Sequence, residues 1–335
     1  MLSAVMHPIQ RGFDFTRRAA PAPAGWLKRE EAIMGTAISV ELWADDRRAG
    51  EAACAAVMDE MHRIDRVMSP HKPASELSRI NRGAARGPVA LSDEMYALVE
   101  RAIEFSRLSA GAFDISYAAV GRLYDYRRRV RPTPAALAAA RDCVGWQMLE
   151  LDKNAKTLRF AREGMCIDLG GFAKGHAVDN AAALLQRRGI RHAYIAAGGD
   201  SRVVGDRRGR PWSVAIRDPR RPGEVVALLP LVDTAVSTSG DYERYFDVDG
   251  EGGERCHHLI DPASGRSPQH LRSVTVLAAD GLSSEALSKT LFVLGVERGL
   301  AVLAQVPGAD AVLVDDQGRL HASPGLLPGG DAAVA

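Results

Sequence analysis

Residues 168–175 read Asp-Leu-Gly-Gly-Phe-Ala-Lys-Gly and lead into an amphipathic stretch that stops at Gly189. No other segment constrains the fold as much. A glycine pair lets the backbone turn tightly and come close to a ligand. A helix starting at Lys174 aims free N–H groups back at the turn, where they attract anions. Lys174 adds a point charge, and Asp168 a carboxylate expected to be buried. The run is either a phosphate-cradling turn or a tight structural entry into a helix, and local sequence leaves both open.

The chain has 335 residues, of which 46% are hydrophobic and 25% charged, the balance of an ordinary globular protein. Its formal net charge of +1 gives no reason to expect nucleic acid or an anionic membrane as partner. Cys54, Cys143, Cys166 and Cys256 are widely spaced without a C-x-x-C pair, so neither a zinc site nor a disulfide framework is expected. No apolar stretch is long enough to span a membrane. Arg17-Arg18 is followed by Ala-Pro-Ala-Pro-Ala rather than an apolar h-region, so residues 1–28 are expected to be a flexible extension. A cytoplasmic location follows from that, with a periplasmic or membrane-associated one if the true start lies elsewhere.

The hydrophobic pattern alternates over Thr36–Trp43, which predicts a strand. Cys54, Val57, Met61, Ile64 and Met68 predict a helix over 47–68, ended by Ser69-Pro70. A second helix starts near Ser92, and a third covers about 174–188. Strands are predicted at His192–Ala197, Trp212–Ile216, Thr234–Thr238 and Ser273–Ala279. Helices are predicted at Glu285–Leu294 and Leu300–Gln305, and a hairpin across Asp315-Asp316-Gln317-Gly318. Mixed elements without repeats or a clear linker point to one compact α+β (mixed α/β) domain over 29–323, with a loose tail at 324–335.

Several further segments carry chemistry-bearing residues in a fixed order. They are Met34-Gly35-Thr36, Ser75–Asn81, Gly111-Ala112-Phe113-Asp114, the 168–175 run with Asp179, Gly198-Gly199-Asp200, Thr238-Ser239-Gly240-Asp241-Tyr242, His258-Leu259-Ile260-Asp261-Pro262 and Glu285–Gly295. Together they resemble the ApbE family, the FAD:protein FMN transferases, over roughly residues 30–320. The resemblance implies a single T-fold-like domain with FAD in a cleft and a magnesium ion at the pyrophosphate. FMN would pass from FAD to a threonine or serine hydroxyl of an acceptor flavoprotein, and AMP would leave.

By that resemblance Met34 packs beside the flavin, and Ala112, Phe113 and Asp114 line the adenosine pocket. Asp168 and Lys174 contact FAD, as do Ser239, Gly240 and Leu259. Each has a plain structural alternative: a core methionine, a turn aspartate, a solvated helix-start lysine, an ST-type turn. His258 is the candidate general base, because histidine titrates near neutrality. His257 faces the other way if the segment is extended.

Two positions depart from the family pattern. The magnesium set implied is the Gly171 carbonyl with an Asp and a Thr four residues apart on one helix. Here the Asp position holds Glu285 and the Thr position Lys289, with Ser288 beside it. Glutamate is one methylene longer than magnesium geometry favours, and a protonated lysine ligates no metal. Gly171, Glu285 and Ser288 are the metal ligands expected; alternatively Lys289 replaces the ion, or merely pairs with Glu285 at i,i+4. At Met68-Ser69-Pro70-His71 the family usually carries an aromatic where His71 stands. His71 is either a weaker flavin contact or an exposed loop histidine. Two other activities share these motifs: a non-catalytic flavin carrier, and an FAD pyrophosphatase releasing FMN and AMP.

Overall fold

The computed structural model describes residues 24–248, 250 and 253–326. Most of the extension expected at 1–28, and most of the tail expected at 324–335, lie outside the described residues. Strand β1 (Gly25–Ile33) already begins inside the former and pairs along its whole length with β2 (Thr36–Ala44). Lys28-Arg29-Glu30-Glu31 hides this strand from a hydrophobicity pattern, because it lies at the sheet edge with those side chains largely exposed.

Helix α1 (Arg47–Met68) starts at Asp46, whose carboxylate caps the Ala49 amide at 2.9 Å. Short α2 (Glu76–Gly83) follows, then β3 (Val89–Ala90), α3 (Asp93–Leu108), α4 (Ala118–Gly121) and α5 (Pro134–Arg141). β4 (Leu149–Asp152) and β5 (Thr157–Phe160) make a small sheet with β3. Next come α6 (Ala173–Arg187), β6 (Ala193–Ala197), β7 (Asp200–Val204), β8 (Trp212–Arg217), β9 (Val225–Leu231) and β10 (Ala235–Gly240). The chain continues through β11 (Tyr245–Asp247), β12 (Arg255–His257), β13 (Leu271–Ala278), α7 (Gly281–Leu303), β14 (Asp310–Asp315) and β15 (Leu320–Ala322). The two C-terminal helices expected are one element, kinked at Gly295, where φ is +80° and favours glycine.

Eight strands form one antiparallel sheet in the order β1-β2-β6-β7-β10-β13-β14-β15. Helices α1, α6 and α7 cover one face in that order: α1 on β1 and β2, α6 on β6 and β7, α7 on β10 and β13. The main core between them includes Ile38, Val40, Leu42, Met61, Val178, Ile195, Val276 and Leu287. The opposite face, carrying Val203, Val236, Leu277 and Val312, is covered by Trp212, Ile216, Leu229 and Leu231 of the β8–β9 hairpin. Strand alternation places these two sets on opposite sides of one backbone. All four cysteines are free; Cys54, Cys166 and Cys256 are buried and Cys143 is half-buried.

Candidate active site

The 168–175 run folds as a turn clamped from both sides. Asn81 of α2 accepts a hydrogen bond from the Ile167 amide at 2.8 Å and donates to the Ile167 carbonyl at 2.9 Å. The Asp168 amide donates to the Ile115 carbonyl. Leu169 and Phe172 are buried, and Phe172 packs on Phe113 with ring centroids 5.5 Å apart. Helix α6 then starts at Ala173, putting Lys174 in its first turn.

Lys174 does not stand free for a ligand. Its ammonium lies 2.6 Å from Asp200 Oδ2 and also donates to Glu285 Oε1. Glu285 has no exposed surface. Its second oxygen accepts from the Gly175 amide at 2.7 Å. This approach requires glycine: a Cβ at residue 175 would lie 2.2 Å from the Gly281 carbonyl oxygen. Asp179 on the same helix accepts from the Gly281 and Leu282 amides, fixing the start of α7.

Lys289, one turn along α7, places Nζ 3.4 Å from Glu285 Oε1 and 4.0 Å from Asp200 Oδ1. Ser237 donates to Asp200 Oδ1, and the Ser288 hydroxyl lies within 3.0 Å of both Ser237 and Ser239 hydroxyls. Two carboxylates and two ammonium groups thus share one seam between α6, α7, β7 and β10. Burial alone would raise the Asp200 pKa, but Lys174 and Lys289 hold it below the usual range. Burial likewise works against charge on Lys174, and Asp200 and Glu285 outweigh it and keep it protonated.

Above this seam opens a cavity of about 580 Å³, a size suited to a small-molecule site. It is lined by Met34, Ala112, Phe113, Asp114, Asp168, Gly171, Lys174, Ser239, Gly240, His258 and Leu259, so these eleven predicted residues meet at one place. Asp200, Tyr117, Arg244 and Lys289 also line it. In the sequence Asp200 shows only as the end of the Gly198-Gly199-Asp200 run; its role as a buried carboxylate needs the fold.

His258 lies half-buried in the cavity wall. Its Nδ1 is buried without a hydrogen-bond partner. Burial, then His257, Lys289, Arg244 and Lys174, push its pKa down to about 3. The ring is therefore neutral near pH 7. His257 points the other way, as an extended segment requires: it is buried, its Nε2–H donates to the Pro268 carbonyl, and it packs edge-on to Phe292.

Four expectations change. Asp114 lines the cavity, but its carboxylate accepts from the Ser116 amide and hydroxyl and from the Trp146 amide, so it serves as a backbone cap. His71 is exposed and lies outside the cavity lining, the position of a loop histidine rather than of a flavin contact. Thr238-Ser239-Gly240 is strand β10 rather than a turn. Glu285 and Ser288 lie beneath the cavity rather than on its surface, and magnesium does not fit the donors present. Both Glu285 oxygens are taken, by two ammonium groups and an amide, and the Ser288 hydroxyl donates to the Glu285 carbonyl at 2.8 Å. Magnesium demands near-octahedral oxygen ligation, which cationic neighbours oppose. Among the described residues no group of three or more His, Cys, Asp or Glu side chains is arranged to hold a metal.

The ApbE family model matches residues 34–313. An FAD:protein FMN transferase from Treponema pallidum is 33% identical over 320 residues, covering 89% of this chain and 87% of its own length. Another of that name from Vibrio cholerae is 32% identical, covering 91% and 93%. The crystal structure of the ApbE protein from Thermotoga maritima superposes with a TM-score of 0.82 at 30% identity, covering 89% of this chain and 97% of that one. The flavin transferase ApbE from Vibrio cholerae gives 0.79 at 31% identity, covering 90% and 98%.

Proposed function

The chain belongs to the ApbE family, and from that footing we propose that it is an FAD:protein FMN transferase that moves FMN from FAD onto a threonine or serine hydroxyl of an acceptor flavoprotein. The observation carrying the chemistry is the neutral His258, its Nδ1 without a hydrogen-bond partner, on the wall of a cavity floored by Lys174 and Lys289.

Phosphoryl transfer is mostly positioning and charge neutralisation. Lys289, with Lys174 behind it, offers positive charge to a pyrophosphate. Asp168, Met34 and Phe113 bound the space for the flavin and adenosine ends. His258 takes the proton from the acceptor hydroxyl while that oxygen attacks the FMN phosphorus. The P–O bond to AMP breaks, and AMP leaves with the electron pair. A phosphate beside His258 raises the depressed pKa toward neutrality, so the histidine becomes a better base when substrate is bound.

Incubating the purified protein with FAD and an acceptor domain tests this. An acceptor mass gain equal to FMN, with AMP released and both lost in His258→Ala, is expected. Free FMN plus AMP without a mass gain would instead make the protein a pyrophosphatase. Stable bound FAD without either product would make it a carrier. Among the described residues no helix is long and apolar enough to cross a membrane.

A further inference from the structure

We propose that the Lys289 ammonium stands where a divalent cation would otherwise be needed, so that flavin transfer by this chain proceeds without a metal ion. The inference rests on the transferase reading but concerns only the charge beneath the cavity. Three observations carry it. The Glu285 carboxylate is saturated by Lys174, Lys289 and the Gly175 amide. The Lys289 ammonium sits within 4.0 Å of both buried carboxylates, on the side of the seam that lines the cavity. The formal charges of Asp200, Glu285, Lys174 and Lys289 cancel, leaving no net negative charge to draw a dication.

Lysine brings a compact, strongly donating point charge. Fixed in a partly buried place by Glu285 and Asp200, it can face a pyrophosphate oxygen without the reorganisation that a mobile cation requires. Replacing it by threonine leaves two carboxylates against one ammonium. That seam carries a net negative charge and a hydroxyl in the place of the ammonium, which is a better cation site.

Two readouts test the proposal. The first is binding of Mn2+ alone, followed by the electron paramagnetic resonance of the free ion, on wild type and Lys289→Thr. The expected result is no stoichiometric uptake by wild type and about one equivalent, displaced by Mg2+, by the variant. The second is FMN transfer to the acceptor in excess chelator and in Mg2+. Wild type is expected to turn over equally in both. Lys289→Thr is expected to lose about tenfold or more in chelator and to recover with Mg2+. One equivalent of Mn2+ held by wild type, or wild-type transfer abolished by chelator, overturns the proposal even if the variant fails to fold. If neither protein transfers FMN under any condition, the transferase reading falls, while the Mn2+ measurement on wild type still decides the metal question.

Discussion

Glu285 Oε2 accepts the Gly175 amide at 2.7 Å, joining helices whose contacting residues are 110 positions apart in the chain. This one contact seats the acidic side chain of α7 against the start of α6. It thereby places Lys174 and Lys289 on the same carboxylate.

Gly175→Ala is expected to destabilise the protein by about 1–3 kcal/mol, because the added methyl would lie 2.2 Å from the Gly281 carbonyl oxygen and backbone must move. Urea unfolding measures it. A midpoint equal to wild type would mean that α6 and α7 separate freely, contrary to the packing described.

Lys174→Met leaves Asp200 and Glu285 facing each other with only Lys289 nearby. Removing one member of a buried ion pair typically costs about 3–5 kcal/mol. Lys174→Met combined with Glu285→Gln is expected to cost less than Lys174→Met alone, since the second change removes an uncompensated charge. Thermal unfolding of wild type, both single variants and the double variant checks the order; strict additivity would show that the groups are not coupled.

Stability is expected to fall with pH below about 6.5. His258 holds its pKa near 3 in the fold against an ordinary 6.5, so between those values the unfolded chain binds the extra proton. The contribution is flat above 6.5, is lost progressively as pH falls, and is fully lost below about 3. His257, also depressed by burial, acts in the same direction. Urea midpoints of wild type and His258→Gln between pH 7.5 and 4.5 should converge as pH falls. Parallel curves would show that His258 is not held neutral.

Asp114→Ala removes the acceptor for two amides and a hydroxyl. A loss of about 1–2 kcal/mol is expected, as for other caps. The unfolding midpoint should move by more than the affinity for FAD does. A large loss of FAD affinity at wild-type stability would make Asp114 a ligand contact instead of a cap.

Much of the candidate site is legible along the chain because its signals are local. The glycine pair before Lys174, the periodicity of α1, α3 and α6, and the extended segment that turns His257 and His258 to opposite sides are all set by near neighbours. So is the Glu285–Lys289 spacing, since i,i+4 residues meet on any helix. Strand β1 escapes notice because an edge strand with exposed charged side chains has no alternation to detect. The β9 strand, with Val225 and Leu228 exposed, is hidden for a related reason.

The family, the order of the motifs and the i,i+4 pairing of Glu285 with Lys289 are written in the chain itself. Who meets whom across long stretches of chain is settled by the packing of the folded protein. Lys174 pairs with a glutamate 111 residues away, Ser237 with Asp200 across 37, and Asn81 clamps a turn 86 residues on. Asp114 becomes a cap, and Glu285 sinks below the cavity. Local propensity acts over a turn of helix or a pleat of strand, whereas the pairing of buried charges follows from the packing of α6 and α7 on the sheet, where desolvation leaves each group no partner but the ones the fold supplies.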